Sequence, residues 1–402
     1  MSHSASHPGP QWPTREQELL LRAGLGYGQP ATEAWTQWRA TVPYEHLDQA
    51  SYRLLPLVYR RLRDESLNDP LLPFMRGVHR RTWHDNHLLF HHAQTLLRAF
   101  HAAGIPTLVL KGPALTLLYY KDYGLRPMGD FDILVPTAQA EAALRVMREQ
   151  GFTASPFSGK SFKPVYLSVI NAFGFVDGQG TEIDLHWHLL HECCWPEADK
   201  PFWEGAIPVM VGDVPSLALQ PADQLLHTCI HGLRWNPIPS ARWVADALTL
   251  LRAAPDLDWN RLVSLAQQLE LVVFLRAALA YLQATWAAPI PPDVLHRLTR
   301  LPVSAGERLE YAVTTRPPES IGPLLRLRAH YRRYRRTFRP PRLRDQPLGF
   351  ARFLQYSWGL ESLEGVPRYA LHWWTGWLGR PHVPMSHRSR QPSAENAEGA
   401  EG

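Results

Sequence analysis

The chain has 402 residues, 45% of them hydrophobic, 20% charged and 11% aromatic, with a formal net charge of +5. That length accommodates two or three units with a buried core, and so apolar and weakly charged a chain is not a disordered one. Three cysteines (Cys193, Cys194 and Cys229) are too few for a disulfide scaffold, and no run reaches the ~18–20 consecutive apolar residues of a membrane span.

Residues 1–13 are polar and proline-rich, without the apolar run of a conventional signal peptide; they read as a flexible leader on a cytoplasmic, reducing-compartment protein. From 14 to 103 apolar residues recur at spacings of three and four, as in Leu54, Leu57, Val58 and then Leu96, Leu97, Phe100, which predicts a helical region. At Gly104 the texture changes. Ile105–Leu110 is a short run rich in β-formers, followed at once by Gly112-Pro113 and a helical stretch to Tyr120. Asp130–Val135 predicts a second strand, and the segment from Thr137 to Gln150 a helix ended by Gly151. Val165–Val176 and Thr181–Trp187 read as two further strands joined through Asp177-Gly-Gln-Gly180, a plausible hairpin turn. Helical texture returns over 221–380, and 381–402 is a polar tail expected to be disordered. The expected class is α+β: a small core with a mixed sheet at 104–220, flanked by N- and C-terminal helical regions.

The chemical signal lies in that core. Asp130 and Asp132 stand two apart at the start of a strand, so their carboxylates project to one face while Phe131 and Ile133 are buried on the other. Like charges that close repel unless a cation sits between them. Glu182-Ile-Asp184-Leu-His186 repeats the alternation, and if its strand neighbours the first, Asp184 supplies a third hard oxygen suited to Mg²⁺. Only five of the 42 basic residues are lysines, so Lys111, beside Gly112, stands out from an arginine-rich background. A glycine at such a turn lets backbone N–H groups approach a phosphate. His186 is placed beside the acids, where it can hydrogen-bond a carboxylate or a phosphate.

The stretch Leu110-Lys-Gly-Pro-Ala-Leu, then Gly124-Leu-Arg-Pro-Met-Gly-Asp130-Phe-Asp132-Ile-Leu-Val, then Asp184-Leu-His-Trp187, resembles the uncharacterised nucleotidyltransferase family of bacteria, a branch of the DNA polymerase β-type nucleotidyltransferase superfamily. Asn86, His227, His231, Arg242-Trp243 and Asp246 extend the resemblance to roughly residues 15–375. It implies transfer of a nucleoside monophosphate from a nucleoside triphosphate such as ATP to a hydroxyl of a small-molecule, saccharide or protein acceptor, with release of pyrophosphate. It also implies that Asp130, Asp132 and Asp184 hold Mg²⁺ in a two-ion site. Asp184 would help activate the hydroxyl, Gly112 would face the triphosphate, and Lys111 or Arg126 would neutralise it. The sequence departs from the superfamily in one place: Lys111-Gly112 replaces the usual Gly-Ser or Gly-Gly, removing a serine hydroxyl from the phosphate site. The competing reading is therefore a catalytically silent core serving as a binding or scaffold module in a biosynthetic complex.

Other clusters read more blandly. His186-Trp-His-Leu-Leu-His-Glu-Cys-Cys194 is too compact for a tetrahedral site, and no zinc is expected. His227 and His231 share a helix face without the glutamate of a metalloprotease and read as packing residues. Nine arginines between Arg326 and Arg344 offer a surface for nucleic acid or, with the tryptophans at 358, 373, 374 and 377, for peripheral contact with a membrane. A solvated arginine-rich helix is the favoured alternative.

Overall fold

The computed structural model describes residues 11–155, 162–237, 241–338 and 346–378. Among these residues seven strands form one sheet: β1 (Leu108–Val109), β2 (Phe131–Leu134), β3 (Thr153–Ala154), β4 (Ala172–Val176), β5 (Glu182–His186), β6 (Ile207–Val211) and β7 (Val214–Ala218). Their order is β3-β4-β5-β2-β1-β7-β6. β2 runs antiparallel to β1 and parallel to β5, and β1 runs parallel to β7, so the sheet is mixed. Two hairpins, β4–β5 and β6–β7, complete it.

Strand alternation sorts the side chains into two layers. Val109, Phe131, Ile133, Ile183 and Leu185 join the cluster built with Phe90, Leu97 and Phe100 of the helix Leu72–Ala102 and with Leu144 and Met147 of the helix Ala140–Glu149. The alternate residues Leu108, Leu110 and Leu134 belong to the second cluster. There they meet Leu225 and Leu226 of the helix Pro221–Gly232, Val244 and Leu248 of the helix Arg242–Ala253, and Leu20 and Leu57 from the N-terminal helices. The helices on both sides of the sheet segment in sequence therefore share one core with it. Burial of these large side chains, at about 25 cal/mol per Å² of apolar surface, is what holds the layers together.

The β4–β5 hairpin turns as expected at Asp177-Gly-Gln-Gly180. Asp177 Oδ1 accepts from the backbone N–H groups of Gln179 and Thr181, each at 2.8 Å, and Gly180 takes φ +83°. The helix after β2 likewise ends before Gly151, whose φ is also +83°. Other segments differ from their patterns. The apolar run 105–110 yields only two strand residues, because the chain turns into the helix Lys111–Leu115. Pro164–Ser168 is a 3₁₀ turn rather than the front half of a strand, since Pro164 has no N–H to give a ladder. Within the expected helical region, the chain from 259 to 286 forms two helices, Trp259–Gln268 and Val272–Trp286, broken where Glu270 adopts φ +58°.

The arginine-rich segment also differs from the solvated helix expected of it. In the helix Pro323–Phe338, Arg332 and Arg333 both pair with Glu310, which is 2% exposed. Arg333 Nη1 also donates to His191 Nε2 at 2.8 Å, and the Arg336 guanidinium lies 3.6 Å from the Trp195 ring centroid. These arginines dock the helix onto the core, which leaves fewer of them for an anionic partner; residues 339–345 lie outside the described residues. Further on, Trp358 packs against Tyr369, while Leu371 and Trp374 of the helix Gly365–Leu378 are exposed. The leader residues 1–10 and the tail from 379 also lie outside the described residues. No helix among the described residues is long and apolar enough to cross a membrane.

Removing one partner of a buried ion pair strands the others. Glu310→Ala is therefore expected to lower stability by about 3 kcal/mol in chemical denaturation and to speed hydrogen exchange across Pro323–Phe338. An unchanged denaturation midpoint would count against this docking role.

Candidate active site

β2 and β5 run parallel in a register that sets Asp132 directly opposite Asp184 and Leu134 opposite His186. The alternation that buries Phe131, Ile133, Ile183 and Leu185 turns Asp132, Asp184 and His186 to the opposite face, toward the helices Pro221–Gly232 and Arg242–Ala253. Between the sheet and these helices lies a cleft of about 250 Å³ lined by Lys111, Gly112, Arg126, Asp130, Asp132, Asp184 and, from the helices, Gln224, His227, Thr228, His231, Arg242 and Asp246. All seven residues singled out from the sequence fall within this neighbourhood: six line the cleft, and His186 touches it through Asp132.

Asp132 is the most enclosed of the acids, at 2% exposure. Its Oδ1 accepts from Lys111 Nζ at 2.6 Å and from His186 Nε2 at 3.1 Å. Because a carboxylate only accepts, Nε2 carries the imidazole proton, and Nδ1 is free to accept from Asn171 Nδ2 at 3.5 Å. Burial, and next the Lys111 charge, hold the His186 imidazole below its ordinary value, so it is neutral near pH 7. Burial opposes ionisation of Asp132, but the Lys111 charge and the His186 hydrogen bond outweigh it and keep its carboxyl well below the usual range. Burial likewise disfavours the Lys111 ammonium, and the charges of Asp132, Asp184 and Asp130 overcome it, leaving its pKa raised. Asp130 is shifted the other way from Asp132: the Asp132 charge, and next burial, push it up.

One oxygen of Asp132, one of Asp184 and a ring nitrogen of His186 lie within 4.8 Å of one another, close enough to hold a metal ion. Asp130 falls outside that group, although it shares the strand face. The carboxylate oxygens suit a hard divalent cation, whereas the His186 nitrogen is already engaged with Asp132. Gln224 adds a further polar group to the cleft. It is fully buried, lines the cleft, and its Oε1 accepts no hydrogen bond among the described residues.

Arg126 lines the cleft and is also paired within the fold. Its Nε and Nη2 bind the two carboxylate oxygens of Asp246, each at 2.9 Å, and Tyr120 Oη donates to the same carboxylate at 2.9 Å. This pair is buried, and Asn86 Nδ2 clamps the loop behind it by donating to the Tyr123 and Arg126 carbonyls at 2.6 and 2.9 Å. Gly112 follows from the same arrangement. A Cβ there would lie 2.3 Å from Arg126 Nη1 and 2.6 Å from Met128 Sδ, so the missing side chain makes room for Arg126.

The cation left facing the cleft is Arg242, which the sequence marked only through its surroundings. Its Nη1 donates to the Pro127 carbonyl at 2.6 Å, and among the described residues no carboxylate pairs with it. Burial, and next the Arg126 charge, push it down to about 10. Burial, ahead of the charges of Asp130 and Arg126, lowers half-buried Arg53 from its ordinary value. His227 and His231, read as packing residues, both line the cleft, their rings 6.1 Å apart. The other residues of the histidine-cysteine run disperse: His188 Nδ1 pairs with Asp199 Oδ2 at 2.6 Å, His191 meets Arg333, and Cys193 and Cys194 are buried thiols pushed up by desolvation.

Burial, and next the Asp132 charge, push Asp184 up to about 7 from the ordinary 3.8. A folded-state pKa above the unfolded one means ionisation opposes folding, with the penalty absent below about pH 4, growing as pH rises, and complete above about pH 7. In EDTA, Asp184→Asn is therefore expected to raise Tm by roughly 3 °C or more at about pH 8, and clearly less at about pH 5. Equal effects at the two pH values would contradict this placement of the charge.

Of three comparisons with known proteins, the family model alone bears on the family. A search of curated proteins gave no match. A solved structure, an antigenic nucleotidyltransferase-like protein from Paracoccidioides brasiliensis, is 15% identical at a TM-score of 0.34, the match covering 54% of this chain and 94% of that one. The model of the family described as uncharacterised nucleotidyltransferase matches residues 49–287, a span that includes β1 through β7, the acids and both helices that wall the cleft. The chain belongs to that nucleotidyltransferase family.

Proposed function

We propose that this protein is a Mg²⁺-dependent nucleotidyltransferase that moves a nucleoside monophosphate from a nucleoside triphosphate to an acceptor hydroxyl and releases pyrophosphate. The observation that carries the reading is Asp132 facing Asp184 across the parallel β2–β5 ladder, with Asp130 two residues back on the same face of one cleft. Asp130, Asp132 and Asp184 would hold the divalent ion, which when bound supplies charge neutralisation at the reacting phosphate and a more acidic incoming hydroxyl. Asp184, in the same cleft as the other two acids, is the carboxylate that would take the hydroxyl proton. His186 acts through Asp132, fixing the carboxylate by its Nε2–H.

Arg242 takes the role that Arg126 is too committed to fill. Its guanidinium lines the cleft without a carboxylate partner among the described residues, as a group waiting for phosphate oxygens would. Arg126 instead braces the loop that carries Asp130, through Asp246. A silent binding module draws support from the same altered turn, because Lys111 is engaged with Asp132 rather than free to meet phosphate.

The two readings separate by turnover. With a panel of nucleoside triphosphates and hydroxyl acceptors, Mg²⁺-dependent pyrophosphate release is expected from the wild type. It should fall by at least ~10³-fold in Asp132→Ala and Asp184→Ala. Arg242→Ala is expected to raise KM for the triphosphate about 10-fold with a smaller effect on kcat. Nucleotide binding with no release from any pair, or release unchanged in Asp132→Ala, would reject the transferase reading.

A further inference from the structure

Three carboxylates line the cleft over β2 and β5, and Lys111 of the same chain lines it with them. Lys111 Nζ and His186 Nε2 both address Asp132 Oδ1, at 2.6 and 3.1 Å. Each carboxylate oxygen has two lone pairs, so these donors use the capacity of Oδ1 and leave Asp132 only Oδ2 for an ion. The lysine is not there by slack. Its side chain is 20% exposed and its backbone sits at φ +44°, a left-handed conformation that is strained for an L-residue and persists only where the surroundings over-determine it. At this φ the chain passes from β1 directly into the helix Lys111–Leu115, with the ammonium reaching Asp132 on the neighbouring strand.

We propose that the Lys111 ammonium is a resident cation that stands in for one of the two metal ions the family resemblance implies, so that the protein takes one divalent ion rather than two, held by Asp132, Asp184 and Asp130. The ammonium already offsets part of the negative charge that a second ion would otherwise meet. The departure of Lys111-Gly112 from a Gly-Ser pair then marks an exchange of one metal ion for a tethered charge, with no loss of the site. The inference rests on the metal-dependent reading above, yet it concerns stoichiometry and is measured without turnover.

Equilibrium dialysis of the full chain against Mn²⁺ and a saturating non-hydrolysable ATP analogue counts the ions held by protein, since free metal–nucleotide is equal on both sides. One Mn²⁺ per wild-type chain is expected, one in Lys111→Arg, and two in Lys111→Met, with circular dichroism confirming that each variant is folded. Two ions per wild-type chain, or none, would overturn the proposal, as would a folded Lys111→Met that still holds one. Should Lys111→Met not fold, the wild-type count together with the same measurement on Lys111→Gln decides by the same criteria. Two ions with pyrophosphate release intact would remove the resident cation and leave the transferase standing; one ion without release would do the reverse.

Discussion

The buried charge of Asp132 is the constraint around which this structure is arranged. A carboxylate at 2% exposure loses several kcal/mol of hydration, which only close partners restore. Lys111 and His186 restore it at a single oxygen, and both must then be held in place. For Lys111 that requires a left-handed backbone at the end of β1. For His186 it requires the parallel register in which Leu134, not Asp132, lies opposite, so that the imidazole reaches back along the strand to the acid. A slip of one residue in that register would turn Asp184 and His186 into the hydrophobic layer and Leu185 into the cleft.

A second buried pair, Arg126 with Asp246, holds the loop between the Lys111 turn and β2 against the helix Arg242–Ala253. Gly112 has no side chain because that guanidinium passes over it, and Asn86 fixes the carbonyls of the same loop from the helix Leu72–Ala102. The helices are thus part of the site: sheet and loop supply the acids, while the helix pair from Pro221 to Ala253 supplies Arg242, His227 and the unsatisfied Gln224 Oε1.

What was legible beforehand follows from how local each signal is. Alternation in Asp130-Phe-Asp-Ile and Glu182-Ile-Asp-Leu-His was enough to read one polar and one apolar face, because a strand's period belongs to the strand itself. That Asp132 would face Asp184 depended on strand order, which no local pattern encodes. The β6–β7 hairpin has its own local signal, an alternation from Ile207 to Ala218 around a Gly212-Asp213 turn with φ +62° at the glycine. The pairing of Arg126 is hidden for a different reason: its partner lies 120 residues downstream, and an arginine beside a D-x-D strand looks the same in sequence with or without Asp246 against it. Arg332 and Arg333 show the converse, where a charge-dense stretch read as solvated is paired through Glu310 into the fold.

The central claim is that one cation-binding locus, with Lys111 as a fixed member, sits between Asp132 and Asp184. A crystal structure of the full chain with Mn²⁺ and a non-hydrolysable ATP analogue tests it most directly, through the anomalous signal of the metal. The account predicts a single peak bounded by Asp130, Asp132 and Asp184, with Lys111 still on Asp132 Oδ1. Two peaks with Lys111 swung away, or a metal bound elsewhere in the molecule, would contradict it.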